Sequence, residues 1–145
     1  MKDLSLAEYR ALAEFRYQIR RFVYFSEEQA RSCGIEPQQH QLLLAIRGLP
    51  EDKRSTIGEL AARMHLRHHS TVELVDRLEA RGAVSRESSG EDRREVIVHL
   101  TRSGIGLLRR LSLSHRDELD HAGPRLASAL KTLRAIQRKA EVQPA

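Results

Sequence analysis

The chain has 145 residues, a formal net charge of +5 and one cysteine, Cys33. That length suits one compact unit with appended helices and excludes two independent enzymes, and a lone cysteine excludes an internal disulfide. The mixed start Met1-Lys2-Asp3-Leu4 does not read as an export leader, and no apolar stretch is long enough to span a bilayer, so the expected location is cytoplasmic, without membrane insertion.

Ser5 and Glu8 have capping-box spacing, after which Leu12, Phe15, Ile19, Phe22 and Val23 recur on one face of a long first helix reaching about Ser32. All six aromatic residues, Tyr9, Phe15, Tyr17, Phe22, Tyr24 and Phe25, lie in this segment. Many fall off the single stripe, so the helix is expected to bury more than one face, which a second copy of the chain would supply. The absence of aromatics after Phe25 also removes a stacking platform for single-stranded nucleic acid and leaves duplex DNA as the better nucleic-acid partner. Gly34 ends the helix, Pro37 opens a short second one with Leu42 to Ile46 on its apolar side, and Gly48 and Pro50 stop it.

Residues 51–55 read as a polar loop, and Thr56 with Glu59 caps a third helix whose apolar positions are Ile57, Leu60, Ala61 and Met64. An interruption at His65-Leu66-Arg67 leads to a fourth helix with Thr71, Leu74, Val75 and Leu78 inward, and Gly82 is placed for a left-handed C-terminal cap. Ala83 to Ser88 is extended, residues 88–92 are turn-rich, and Val96, Val98 and Leu100 alternate with Glu95, Ile97 and His99, which predicts a two-stranded hairpin. Thr101 caps a further helix with Ile105, Leu108 and Leu111, and Gly123-Pro124 opens a last one with Leu126, Leu130 and Leu133. Residues 102–140 carry nine Lys/Arg against three Asp/Glu, a basic excess that suits either phosphates or a solvated face. The expected order is α-α-α-α-β-β-α-α: mainly helical, with one small hairpin.

A two-helix reader followed directly by a hairpin is a winged helix-turn-helix, whose second helix enters the major groove while the hairpin reaches along the backbone. With Thr71, Leu74, Val75 and Leu78 inward, rotation of 100° per residue turns His69, Glu73 and Asp76 outward with Val72 beside them. His69 offers a donor to guanine, Glu73 an acceptor for the cytosine amino group and Val72 a surface for the thymine methyl. Arg67, His68 and Ser70 lie at the helix start, where the partial positive charge favours phosphates. Thr56 and Arg77 complete the set on the reader, and Arg86, Arg93 and Arg94 on the wing are the candidates for the minor groove. Residues 85–95 hold three arginines against four carboxylates, so Asp92 is assigned as the partner that orients Arg94.

The segment TIGELAARMHLRHHSTVELVDRLEARGAVSRESSGEDRREVIVHLTRSG, residues 56–104, resembles the multiple antibiotic resistance regulators, the MarR family. Val75-Asp76-Arg77-Leu78-Glu79 with Gly82, and Asp92-Arg93-Arg94 followed by Leu100-Thr101, carry the resemblance most strongly. It implies a homodimer whose first and last helices, residues 1–34 and 102–145, interlock, with a DNA-binding lobe over 35–101 set on each half of a pseudo-palindromic operator. It further implies repression relieved by a small phenolic or carboxylate ligand, for which Tyr17, Arg20 and His40 are the nominees. His68-His69 depart from the Arg-Ser that many relatives carry there, so the usual base contacts do not transfer to these positions.

Two sensory alternatives compete: a metal-responsive regulator using His65, His68 and His69, and an oxidant-responsive one using Cys33. A third is a winged helix serving only as a protein-interaction module. No catalytic residue, cofactor or resident metal is expected, since no nucleophile with a base or phosphate loop is found, and Gly104-Ile105-Gly106 is too short for a dinucleotide fingerprint.

Overall fold

A computed structural model describes residues 3–89 and 95–142. Ser5 and Glu8 satisfy each other's backbone: the Ser5 N–H donates to Glu8 Oε2 at 2.6 Å and the Glu8 N–H to Ser5 Oγ at 3.2 Å. Helix α1 follows as Leu6–Ser32, and Gly34 leaves it at φ +73. Helix α2 is Pro37–Arg47, its entry fixed by the Glu36 N–H donating to Gln39 Oε1 at 3.1 Å. Helix α3 spans Ile57–Met64, and α4 spans His68–Ala80. Gly82 adopts φ +77 just past α4, the left-handed conformation that a side chain disfavours.

Strands β1, Val84–Ser88, and β2, Val96–Leu100, pair antiparallel with Val84 opposite Leu100 and Ser88 opposite Val96. The outer edge of β2 is also occupied. Thr56 bridges Ile97, the Val98 N–H donates to the Ser55 carbonyl at 2.9 Å, and Ser55 Oγ donates to the Val98 carbonyl at 2.7 Å. The start of α3 is thereby stitched to the hairpin, which covers the β2 edge at that level.

The chain divides into two compact units, residues 29–113 and residues 1–28 with 114–145. The first is built on Leu42, Leu43, Leu60, Leu74, Val75, Leu78, Val84 and Val98, joined by Ala30 from the end of α1 and by Leu107, Leu108 and Leu111. Those last three belong to helix α5, Arg102–Val142, which is continuous for 41 residues. The sequence reading splits this segment at Gly123-Pro124, but Pro124 sits inside one helix. An interior proline costs about 3 kcal/mol by removing an N–H and crowding the preceding turn. Here the inward line His115, Ala122, Leu126, Ala129 and Leu133 keeps its helical phase across the proline, and its burial offsets that cost.

In the second unit α1 is rotated from the expected stripe. Ala11, Gln18 and Ser26 are buried with Phe15, Ile19, Phe22 and Phe25 partly covered, while Leu12 and Val23 are exposed. His115 of α5 meets the Ser26 hydroxyl at 2.7 Å and stands edge-on to Phe22 and Phe25, at 6.1 and 5.6 Å between ring centres. A polar pair and two aromatics therefore set the face, which an apolar count does not weigh.

Candidate nucleic-acid interface

Thr56 starts the reader: its side chain accepts from the Glu59 N–H at 3.1 Å, while Glu59 turns away to pair with Arg63 one turn on. The turn after α3 is made by His65 in the left-handed region at φ 52, with the Leu66 N–H donating back to the Ala61 carbonyl at 3.0 Å. Arg67 then takes the extended N-cap position of α4, and its carbonyl accepts from both the Thr71 N–H and the Thr71 hydroxyl. Thr71, Leu74, Val75 and Leu78 are buried, as their spacing predicts. His68, His69, Glu73, Asp76 and Arg77 are exposed, and Ser70 and Val72 are half-buried.

A groove of about 300 Å³ runs between the start of α3, the outer side of α4 and the wing. Thr56, His68, Val72 and Arg86 line it with Glu95. Four residues singled out from sequence on three separate elements thus border one depression. His68, the first residue of α4, borders it, and a helix N-terminus carries a partial positive charge.

Arg86 has partners of its own. On β1 it reaches back to α4, where Nη2 bonds Asp76 Oδ1 and Nε lies 3.6 Å from Glu79 Oε2. The other strand is tied to the loop before α3: Arg54 Nη1 and Ser89 Oγ both donate to Glu95 Oε2 at 2.9 Å. Further along the hairpin His99 stands 3.1 Å from Glu87. Sequence reading assigned Arg54 and Glu79 no part in these ion pairs, because the contacts join residues in different elements whose approach depends on tertiary packing. The nearest signal was that Asp76 and Glu79 share a helix face at i, i+3.

Asp92, Arg93 and Arg94 lie outside the described residues. Of the ligand nominees, Tyr17 and Arg20 are exposed on α1, with the Arg21 guanidinium 5.7 Å from the Tyr17 ring centre, while His40 is 2% exposed among the core residues of the other unit. Cys33 is half-buried against that core. Among the described residues no group of three His, Cys, Asp or Glu is placed to hold a metal ion; His65, His68 and His69 are each exposed. No helix among them is long and apolar enough to cross a membrane.

Paired helices with a tight left-handed turn, an outward polar face on the second and a hairpin alongside define a winged helix-turn-helix. The model of the MarR family matches residues 34–95 of the chain. Two curated relatives are a protein of Thauera aromatica named as a putative transcriptional regulatory protein for the hcr operon, 31% identical over 96 residues, and the uncharacterized HTH-type transcriptional regulator YcgE of Bacillus subtilis, 36% identical over 94 residues. These alignments cover 66% and 65% of the chain and only 56% and 59% of the relatives. The fold matches the MarR-family regulator AbsC of Streptomyces coelicolor at a TM-score of 0.73 and 19% identity, over 99% of this chain and 100% of that one. It also matches a mutant MarR of E. coli complexed with operator DNA at 0.67 and 24%, over 89% and 90%. A third match, at 0.62 and 17% over 84% and 89%, is to Bordetella bronchiseptica BpsR, whose DNA binding is regulated by 6-hydroxynicotinic acid.

Proposed function

We propose that this protein is a sequence-specific regulator of transcription that binds double-stranded DNA as a homodimer, occupies a pseudo-palindromic operator as a repressor, and is released by a small ligand of phenolic or carboxylate type. The observation that carries the reading is the outward presentation of His69 and Glu73 on a helix whose opposite face is sealed by Thr71, Leu74, Val75 and Leu78. In this reading His69, Val72 and Glu73 meet base edges, and Arg67, His68, Ser70, Thr56 and Arg77 meet phosphates. Asp92 orients Arg94, which with Arg93 serves the minor groove.

Support for the dimer comes from the unit formed by residues 1–28 and 114–145, which leaves Leu4, Leu6, Tyr9, Leu12, Tyr17, Val23, Tyr24, Leu119, Leu130 and Val142 exposed. Apolar surface so concentrated is expected to be covered by a second copy. Two readers held about 34 Å apart would then fit successive major grooves, and a ligand that changes the spacing would release them. Ligand relief draws its support from BpsR, and DNA binding from the complexed E. coli relative. The test is selection of binding sites from a random-sequence duplex pool by the purified chain, followed by footprinting. An inverted repeat protected over two half-sites is the expected result; enrichment of no sequence would refute the reading.

A further inference from the structure

The outward side of α4 carries three carboxylates, Glu73, Asp76 and Glu79, on the helix that must approach a polyanion. Unpaired, they would repel phosphates and weaken association at every sequence alike. Glu73 has no ion pair among the described residues, whereas Asp76 and Glu79, one turn apart, both face the Arg86 guanidinium. The side chain of Arg86 is 28% exposed, against 56% for Asp76 and 46% for Glu79. The cation is therefore less exposed than the two acids it faces, in the crevice between β1 and α4 at the border of the groove, and its guanidinium is engaged by them. Only Asp76 takes a hydrogen bond, from Nη2; the buried Nε has no hydrogen-bond partner and faces Glu79 as an ion pair at 3.6 Å, a two-sided arrangement that the planar guanidinium allows and a lysine would not.

We propose that Arg86 is a positioning and charge-masking residue: it fastens the wing strand to the recognition helix and offsets part of the negative charge of Asp76 and Glu79, and makes no phosphate contact itself. The inference rests on the DNA-binding reading given above. It leaves Glu73 as the α4 carboxylate without an ion pair among the described residues, placed where an acceptor selects and does not merely repel.

The experiment compares the wild-type chain, R86Q, D76N/E79Q and the triple variant D76N/E79Q/R86Q on a duplex selected by the wild type from a random pool, across a salt series. R86Q is expected to weaken binding at least tenfold, whereas the triple variant stays within about threefold of D76N/E79Q, with the same slope of log Kd against log salt. A direct phosphate contact predicts instead an equal loss in both backgrounds and a slope smaller by about 0.9; that result, or an R86Q variant that binds like the wild type, would overturn the proposal. Should R86Q fail to fold, the comparison of D76N/E79Q with the triple variant still decides, since the acids are already neutral there. Arg86→Lys is expected to restore only part of the affinity. If the wild type selects no duplex, the DNA role fails as a whole, and thermal-unfolding coupling between Arg86 and the two acids shows whether the ion-pair geometry nevertheless holds.

Discussion

Gly104 and Ala83 touch backbone to backbone: a Cβ on Gly104 would overlap the Ala83 carbonyl oxygen and stand 3.0 Å from its carbon. The same carbonyl accepts from the Thr101 N–H at 3.0 Å, and the Thr101 hydroxyl donates to the Gly82 carbonyl at 2.6 Å. Helix α5 thus begins by gripping the turn that joins the recognition helix to the wing. Because the neighbour is backbone, it has no rotamer with which to yield. Gly104→Ala is expected to destabilise the fold by about 1–3 kcal/mol, the usual cost of overpacking. Gly106 in the same helix has open space around its Cβ position, so Gly106→Ala should be neutral or stabilising by up to about 1 kcal/mol. Thermal unfolding of the two variants separates close approach from mere helix propensity.

The Thr56 hydroxyl joins stability to the interface. It caps α3 through the Glu59 amide, and its residue bridges Ile97 of the wing. Thr56→Ala is expected to cost about 1 kcal/mol in unfolding free energy, whereas Thr56→Ser keeps the acceptor and should cost well under that. Urea unfolding of both variants is the measurement. Equal losses would show that the methyl group, and not the cap, matters.

Glu73 provides the sharpest test of the reader's orientation. A carboxylate only accepts, and the base-edge group it suits is the cytosine amino group; an amide in its place both donates and accepts, which suits adenine. Glu73→Gln is therefore expected to exchange cytosine for adenine preference at one position of each half-site, by about 1–3 kcal/mol, without a general loss of affinity. Repeating the duplex selection with the variant reads the change directly. A uniform loss at all sequences would move Glu73 out of the groove.

Much of this arrangement was legible in the residues. The inner face of α4 follows from Thr71, Leu74, Val75 and Leu78, the helix starts from Ser5 with Glu8 and Thr56 with Glu59, and the hairpin from alternation around Val98, because each depends on neighbours within a turn or a strand. Pro124 misled, since a local breaker was outweighed by burial along a stripe that only packing reveals. The face of α1 was misjudged for a related reason: Gln18 and Ser26 are polar in composition yet buried. The environment of Arg86 was not legible at all, because its ion pairs depend on where β1 is laid against α4.

The Ser88–Val96 end of the hairpin is held by Glu95, which receives Arg54 and Ser89 on one carboxylate oxygen. Both charged partners are partly exposed, so the ion pair itself is worth little to global stability, about 0–1 kcal/mol. Its effect should be local. Glu95→Gln is expected to leave the unfolding midpoint nearly unchanged while raising amide hydrogen exchange in β1 and β2. Hydrogen exchange unchanged in both strands would show that the Ser55–Val98 stitching alone suffices.

Self-association is open to a test that spares the reader. Tyr24 is 68% exposed on α1 and lies in the other compact unit from the groove-lining residues, so a charge there removes no core contact of the winged-helix unit. If a second copy covers this surface, Tyr24→Glu forces a carboxylate into an apolar interface, a burial that costs several kcal/mol when unpaired. Sedimentation at micromolar concentration is then expected to shift from dimer to monomer. The selected operator should be bound about 10²- to 10⁴-fold more weakly, because two linked half-site contacts become one. Circular dichroism should retain the helical signal, since the lobe has its own core. A variant that stays dimeric with unchanged operator affinity would place the subunit contact away from Tyr24 and leave the aromatic face of α1 needing another partner.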